Sequence, residues 1–285
     1  MRFLIRIIAI LAVISLATVA LSNLAERWLI YPFDGTRVSP NDAGLEDVTE
    51  HEVRSNDETL IVWSAPPKAG QPVIFYLHGN AGNLAARAGR FQRFLERGYG
   101  MIALAYPGSS GSTGTPSEDT LSKAAAHLWL LKEELLPRAY LSSMPSKTLV
   151  YGESLGSAVA IHLNAATASD HMKGAEPIAG IILEAPFTSI ADLAEHHYPG
   201  TGVLMTKLDN KWDSLRWASQ MHQPLLILHG TEDALIPLEM GRQIHTATPS
   251  GENSFLAIQG AGHTDLWRSD SLSHLWRFID QFARR

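Results

Sequence analysis

The stretch Gly152-Glu153-Ser154-Leu155-Gly156 constrains the fold of this chain more than any other. It follows the apolar run Thr148-Leu149-Val150-Tyr151 and precedes Ser157-Ala158-Val159-Ala160-Ile161, so a serine stands between two glycines where a strand hands over to a helix. A turn this sharp has no room for side chains on its flanks, and it lifts the serine hydroxyl clear of the sheet. Two readings of Ser154 follow: a nucleophile raised above a parallel sheet, or a helix N-cap, a role serine often fills. The strand before it and the helix after it favour the first.

The remaining chain supplies such a sheet. Val48 to Arg54 and Leu60 to Ala65 read as an antiparallel pair, and Val73 to Leu77 and Met101 to Ala105 as buried strands. Between the last two lies a helical pattern from about Leu84 to Arg97, stopped by Gly98. Its four arginines, at helical spacing, read as a solvated face. A helix from about Glu118 to Leu135 carries Leu121, Ala125, Leu128 and Leu131 on one side. Ile178 to Leu183, Leu225 to Leu228 and Phe255 to Ile258 read as further strands, with Ser271 to Phe282 as a closing helix. Strands alternating with helices predict the α/β class, a doubly wound and mostly parallel sheet over residues 31–285. The strand rhythm breaks between Pro186 and Pro224 for roughly 40 residues, longer than the usual connection, so residues 187–223 read as a small cap insert.

The N-terminus has a different character. Arg2 and Arg6 precede Ile7 to Leu21, where only Ser15 and Thr18 interrupt the apolar run. Residues 1–30 therefore read as a membrane anchor or signal segment, an N-terminal transmembrane or signal helix. Phe3 to Leu21 nearly reaches the length of about 20 residues that a span needs, and Trp28 suits a membrane interface. A retained anchor with its arginines in the cytoplasm puts the catalytic domain on the non-cytoplasmic side. Cleavage near Ala20-Leu21-Ser22 instead gives a secreted protein.

A serine hydroxyl is a weak nucleophile until a histidine takes its proton, and the histidine needs a carboxylate to fix its tautomer. In the order serine, acid, histidine, the acid belongs after a strand beyond the serine and the base after the last strand. Leu225-Leu226-Ile227-Leu228-His229-Gly230-Thr231-Glu232-Asp233 offers Asp233, with Glu232 as rival and a turn or helix-capping role as the alternative. Gln259-Gly260-Ala261-Gly262-His263 offers His263; among twelve histidines the next candidates are His196 and His197, inside the insert. Glu184 and Asp265 read as structural. Donors for an oxyanion are expected from the Leu155 amide and from the loop His78-Gly79-Asn80-Ala81-Gly82-Asn83.

Other chemistries find little support. The net charge of −6 and the lack of a Lys/Arg block argue against nucleic acid. No Gly-Lys-Ser/Thr follows the glycine-rich loop as a phosphate site requires, and no HExxH or paired histidine spacing suits zinc. The chain has no cysteine, which excludes disulfides and thiolate ligands. No cofactor or metal is expected.

Taken together, His78 to Asn83, Gly152 to Gly156, His229 to Asp233 and Gly262-His263 resemble the α/β-hydrolase superfamily in order as well as in motif. More narrowly, the chain resembles membrane-anchored α/β-hydrolases with the HGNAGN loop, a group with lipase-like, lysophospholipase-like and depalmitoylating members. That resemblance implies the α/β-hydrolase fold with Ser154 as nucleophile, Asp233 as acid, His263 as base, and the Asn80 and Leu155 amides as oxyanion donors. It also implies hydrolysis of a small-molecule ester or thioester, on acylated or lipid-like substrates, through an acyl-enzyme. The chain departs from the group at Tyr106-Pro107-Gly108-Ser109-Ser110-Gly111, where Tyr-Arg-Gly-Tyr-Gly is common. Phe187, Tyr198, Val203, Leu204, Met205, Leu208, Trp212 and Trp217 in the insert are available to line an acyl pocket or to seal the insert onto the core. A serine peptidase of the same fold and a non-catalytic binding protein are the alternatives.

Overall fold

Apolar runs from across the chain assemble into one sheet in the computed structural model, which describes residues 26–55, 57–137, 147–169, 172–205 and 208–283. Its strands are β1 (Thr49–Ser55), β2 (Glu58–Ala65), β3 (Val73–Leu77), β4 (Gly100–Leu104), β5 (Thr148–Glu153), β6 (Gly180–Glu184), β7 (Leu225–Gly230) and β8 (Asn253–Ile258). They lie in the order β1-β2-β4-β3-β5-β6-β7-β8. β1 pairs antiparallel with β2, and β2 antiparallel with β4, while every later pairing is parallel. The central strands β3, β4, β6 and β7 are buried along their whole length. That explains their unbroken apolar sequences, because a parallel sheet covered on both faces has no solvated side to alternate with.

The helices are α1 (Ala88–Glu96), α2 (Glu118–Leu131), α3 (Leu155–Thr167), α4 (Ile190–His197), α5 (Gly202–Met205), α6 (Ser214–Ala218), α7 (Leu238–Ala247) and α8 (Ser269–Ala283). Residues 26–30 are also helical. The pattern expected from Leu84 begins as a 3-10 turn, Leu84–Arg87, capped by the Asn83 side chain, before α1 takes over. α2 starts at a capping box made by Ser117 and Thr120. On one face of the sheet Leu121, Ala125 and Leu128 of α2 and Val159 and Leu163 of α3 pack on Phe75, Val150 and Ile181. On the other, Phe91 and Phe94 of α1 and Leu275 and Ile279 of α8 pack on Ile74, Tyr76 and Tyr151. Neighbouring strand residues thus feed opposite layers, as the two-residue period of a strand requires.

The expected N-terminal transmembrane or signal helix from Phe3 to Leu21 lies outside the described residues. Among the described residues no helix is long and apolar enough to cross a membrane. Residues 187–223 carry α4, α5 and α6, with no strand among those described. This insert is fastened to the N-terminal part of the chain by buried polar bonds. The indole of Trp212 donates to the Tyr31 hydroxyl (2.9 Å), which donates to Asn210 Oδ1 (2.7 Å). The amide and side-chain nitrogens of Asn210 in turn donate to Glu26 Oε1 at 3.0 and 2.6 Å. Burial raises the Tyr31 pKa far above its ordinary value, so its hydroxyl remains protonated and able to donate.

Candidate active site

Ser154 occupies the step from β5 to α3 with φ 51° and ψ −113°, a backbone region that side chains rarely adopt. The glycines on either side make the step possible. A Cβ on Gly152 would run into the backbone of Gly156 and Ser157, and one on Gly156 into the carbonyls of Leu77 and His78. Three hydrogen bonds hold the turn: Ser154 N–H to Glu184 O (2.8 Å), and Ser157 Oγ to Gly152 O (2.9 Å) and Glu184 O (3.0 Å). Ser154 stands at the N-cap position of α3, yet its side chain makes no capping bond. Its hydroxyl meets a histidine instead.

Ser154 Oγ lies 3.1 Å from His263 Nε2, and His263 Nδ1 lies 2.8 Å from Asp233 Oδ2. Nδ1 facing a carboxylate must carry the proton, which leaves the Nε2 lone pair to accept from the serine. Asp233 Oδ1 accepts the Leu235 and Ile236 amides at 2.9 and 2.8 Å. Burial alone raises the Asp233 carboxyl pKa, but the hydrogen bonds from His263 and those amides overcome it and hold it below the ordinary range. Asp233 comes from the loop after β7 and His263 from the loop after β8, so the three groups meet at the carboxyl ends of the parallel strands. The rival residues do not join them. Glu232 turns toward Gly260, and His197 bonds the Leu235 carbonyl.

Asn80 and Leu155 both border the cavity beside Ser154. Among the described residues neither backbone N–H has an acceptor, which leaves both available to a bound oxyanion. The loop bearing Asn80 is pinned by its own side chain to Ile30 O (3.2 Å) and by Asn83 to Asp34 (2.8 Å). His78 is buried among Phe33 and Tyr106. Burial first, and then the charge of Arg87, lowers its pKa to about 3, so it is a neutral packing residue.

Ser154 separates two recesses of opposite character. One is an apolar cavity of about 490 Å³ between the insert and residues 26–30, bordered by Ile30, Phe187, Leu193, Met205, Leu208 and Ile236 among others. Of the insert residues singled out above, Phe187, Tyr198, Met205 and Leu208 face it, whereas Trp212 is buried against Tyr31. The other is a polar recess of about 260 Å³ that includes Arg87, Arg90, Glu153, Glu184 and His263.

That recess corrects the reading of the arginines as a solvated face. Arg93 and Arg97 follow it, but Arg87 and Arg90 turn inward because two buried carboxylates await them. Arg87 Nη2 meets Glu153 Oε1 at 2.8 Å, and Arg90 grips both oxygens of Glu184 at 2.6 and 2.8 Å. Burial favours the protonated form of Glu153, yet Arg87 and Arg90 together hold its pKa below the ordinary value. Arg87 Nη1 also donates to the carbonyls of Ala81 and Asn83, which ties the residue before Ser154 to the Asn80 loop. Sequence reasoning missed this link, although a glutamate inside the serine motif was a signal that a cation must lie nearby. It also missed His229, buried behind Asp233, whose Nε2 donates to Ile236 O at 2.9 Å. Among the described residues no cluster of histidine and carboxylate side chains suits a metal ion.

No family model matches the chain. It is 27% identical over 288 residues to the uncharacterized protein Rv2307c of Mycobacterium tuberculosis, covering 97% of this chain and 95% of that protein. It is 26% identical over 283 residues to the lysophosphatidylserine lipase ABHD12 of Rattus norvegicus, covering 84% of this chain and 68% of the relative. Among solved structures, an alpha-beta hydrolase from Vibrio vulnificus superposes with a TM-score of 0.67 at 18% identity, over 92% of each chain. The chain has the α/β-hydrolase fold.

Proposed function

We propose that this chain, an α/β-hydrolase by fold, is a serine hydrolase that cleaves carboxylic esters or thioesters of acylated or lipid-like substrates through an acyl-enzyme. The observation that carries the reading is the unbroken hydrogen-bond chain Asp233–His263–Ser154 beside two amides with no acceptor. In this account His263 Nε2 takes the Ser154 proton as Oγ bonds to the substrate carbonyl carbon. The oxyanion collects the Asn80 and Leu155 N–H groups, and Asp233 stabilises the imidazolium. The imidazolium then passes its proton to the leaving oxygen or sulfur as that bond breaks; water, deprotonated by His263, next bonds to the acyl carbon, and His263 returns that proton to Ser154 Oγ as the acyl–serine bond breaks and the acid leaves. The apolar cavity suits an acyl chain.

The name of the rat relative, a lysophosphatidylserine lipase, agrees with an acyl substrate. A peptidase that anchors its substrate's amine needs a free carboxylate; Glu153 and Glu184 are each neutralised by an arginine, and Glu26, at the cavity, accepts two hydrogen bonds from Asn210. Residues 3–21 are proposed as a retained anchor with the hydrolase domain on the non-cytoplasmic side; carbonate extraction and N-terminal sequencing of the membrane fraction distinguish an intact anchor from a cleaved signal.

The experiment is fluorophosphonate labelling of the full chain, paired with nitrophenyl esters from acetyl to palmitoyl. Wild-type protein is expected to label and turn over, and Ser154→Ala to do neither, with a loss on the order of 10³-fold or more. Turnover retained by Ser154→Ala removes Ser154 as nucleophile, and turnover of amides alone installs the peptidase.

A further inference from the structure

We propose that the mouth of the apolar cavity is a bilayer-contacting face, so that the acyl chain passes into the site from the membrane rather than from water. The proposal extends the acyl-cleaving role and rests on the retained anchor. Among the described residues six large apolar side chains are exposed. Leu29 (72% exposed), Tyr198 (70%) and Leu235 (47%) border the cavity, and Trp28 (80%) precedes Leu29 on the same helical turn. Leu29, Tyr198 and Leu235 come from three distant parts of the chain, ahead of the sheet, in the insert and after β7, and the fold gathers them at one opening, with Trp28 exposed beside it in sequence. Apolar patches of this kind, gathered round a cavity, mark a place where water is displaced.

The occupant follows from where the chain leads. The apolar run Ile7 to Leu21 ends a few residues before Glu26, and Glu26 is bonded through Asn210 to the insert that walls the cavity. A membrane held by that run is therefore delivered to the cavity mouth, not to the far end of the sheet. Leu130, also exposed, lies near the end of α2, which returns from the site toward the opposite end of the strands. Trp and Tyr with neighbouring leucines suit the headgroup boundary, where an aromatic ring keeps a polar edge wet. The chain's net charge of −6 makes attraction to anionic lipid a poor cause, so apolar contact is the driving term.

The absence of native cysteine lets single cysteines report alone. The full chain is reconstituted in phosphatidylcholine vesicles carrying Tyr198→Cys, Leu235→Cys or Leu130→Cys, each spin-labelled and measured for accessibility to oxygen and to a water-soluble nickel chelate. Oxygen-dominated accessibility at 198 and 235, with nickel-dominated accessibility at 130, is expected. Nickel-dominated accessibility at 198 and 235 overturns the proposal, and so does low accessibility to both reagents, which marks a second copy or another protein surface over the mouth. Trp28→Glu gives a kinetic check. It is expected to slow turnover of a long-chain ester presented in the vesicles by about tenfold, what lost insertion of one large apolar side chain costs, while nitrophenyl acetate in solution is hydrolysed at the wild-type rate. An unchanged rate on the vesicle ester refutes it. Label accessibility needs no turnover, so a protein with the expected accessibilities and no esterase activity keeps the membrane face and loses the hydrolase reading.

Discussion

Replacing Arg87 by methionine keeps an apolar stem and removes the charge, and its two consequences can be sized separately. Arg87 gives Glu153 two hydrogen bonds, at 2.8 and 3.2 Å, with a side chain that is only 9% exposed. Without it Glu153 keeps the Tyr76 hydroxyl at 2.6 Å and Arg90 at 3.9 Å. Removing one partner of a buried ion pair costs about 3–5 kcal/mol, and the surviving contacts put Arg87→Met at the lower end of that range. Glu153→Gln added to Arg87→Met removes the stranded anion, so the double variant is expected to be more stable than Arg87→Met by roughly 1–2 kcal/mol.

The pH dependence has a definite sign. In the wild type the depressed Glu153 pKa contributes stability that is complete above the unfolded value of about 4.3 and is lost as pH falls through the folded value. In Arg87→Met burial prevails and the folded pKa rises above the unfolded one, so the variant's deficit narrows as pH drops from neutrality toward about 4.3.

On the proposed mechanism catalysis is expected to suffer through the Ala81 and Asn83 carbonyls, which lose their shared donor on the loop that bears Asn80. Deleting an oxyanion donor costs about 10²–10³ in kcat, and loosening one is expected to cost about tenfold. Thermal unfolding of the single and double variants, with kcat on nitrophenyl butyrate, reads both effects. A stability within about 0.5 kcal/mol of wild type refutes the ion-pair argument. Lost stability with unchanged kcat refutes the link to the oxyanion loop.

Three further outcomes are expected. Gly156→Ala drives a methyl into the Leu77 and His78 carbonyls and should destabilise the protein by more than about 3 kcal/mol or prevent folding, read by thermal unfolding and by loss of fluorophosphonate labelling. Asp233→Asn should lower kcat on the order of 10³–10⁴-fold; because the folded Asp233 pKa is depressed, its stability deficit should close as pH falls below about 3.9. Leu208→Trp fills part of the apolar cavity and should shift the preferred nitrophenyl ester to shorter acyl chains, with an unchanged preference counting against that cavity as the acyl site.

Much of the site was legible because its residues answer to local rules. A serine between glycines at the end of an apolar run announces a sharp turn whatever lies around it, and strand order then points to Asp233 and His263. What escaped the sequence depends on distant partners. The spacing of Arg87 and Arg90 shows that they share a helix face, but not that Glu153 and Glu184 stand opposite. Asn210 gives no local sign that it will bind Glu26, which lies 184 residues earlier. Trp212 was a candidate for the acyl pocket by composition, yet its indole N–H needed an acceptor and found Tyr31.

Glu184, read from the sequence as structural, shows how such distant partners sustain the site. Its main-chain carbonyl accepts both the Ser154 amide and the Ser157 hydroxyl, so it clamps the turn from the neighbouring strand. Its carboxylate is held by Arg90, the Tyr151 hydroxyl and the Trp267 indole, which leaves β6 little freedom to retreat. A backbone like that of Ser154 costs of order 1–3 kcal/mol and persists only when its surroundings over-determine it. Two bonds to one carbonyl, a third to Gly152 and an ion pair behind them supply that constraint. The same arrangement sorts the surroundings of the hydroxyl: charge is locked into pairs on one side of Ser154, and the other side is lined mainly by apolar residues. On the proposed reading, a substrate with an apolar acyl chain and a polar leaving group reaches both recesses with its scissile carbonyl over the serine.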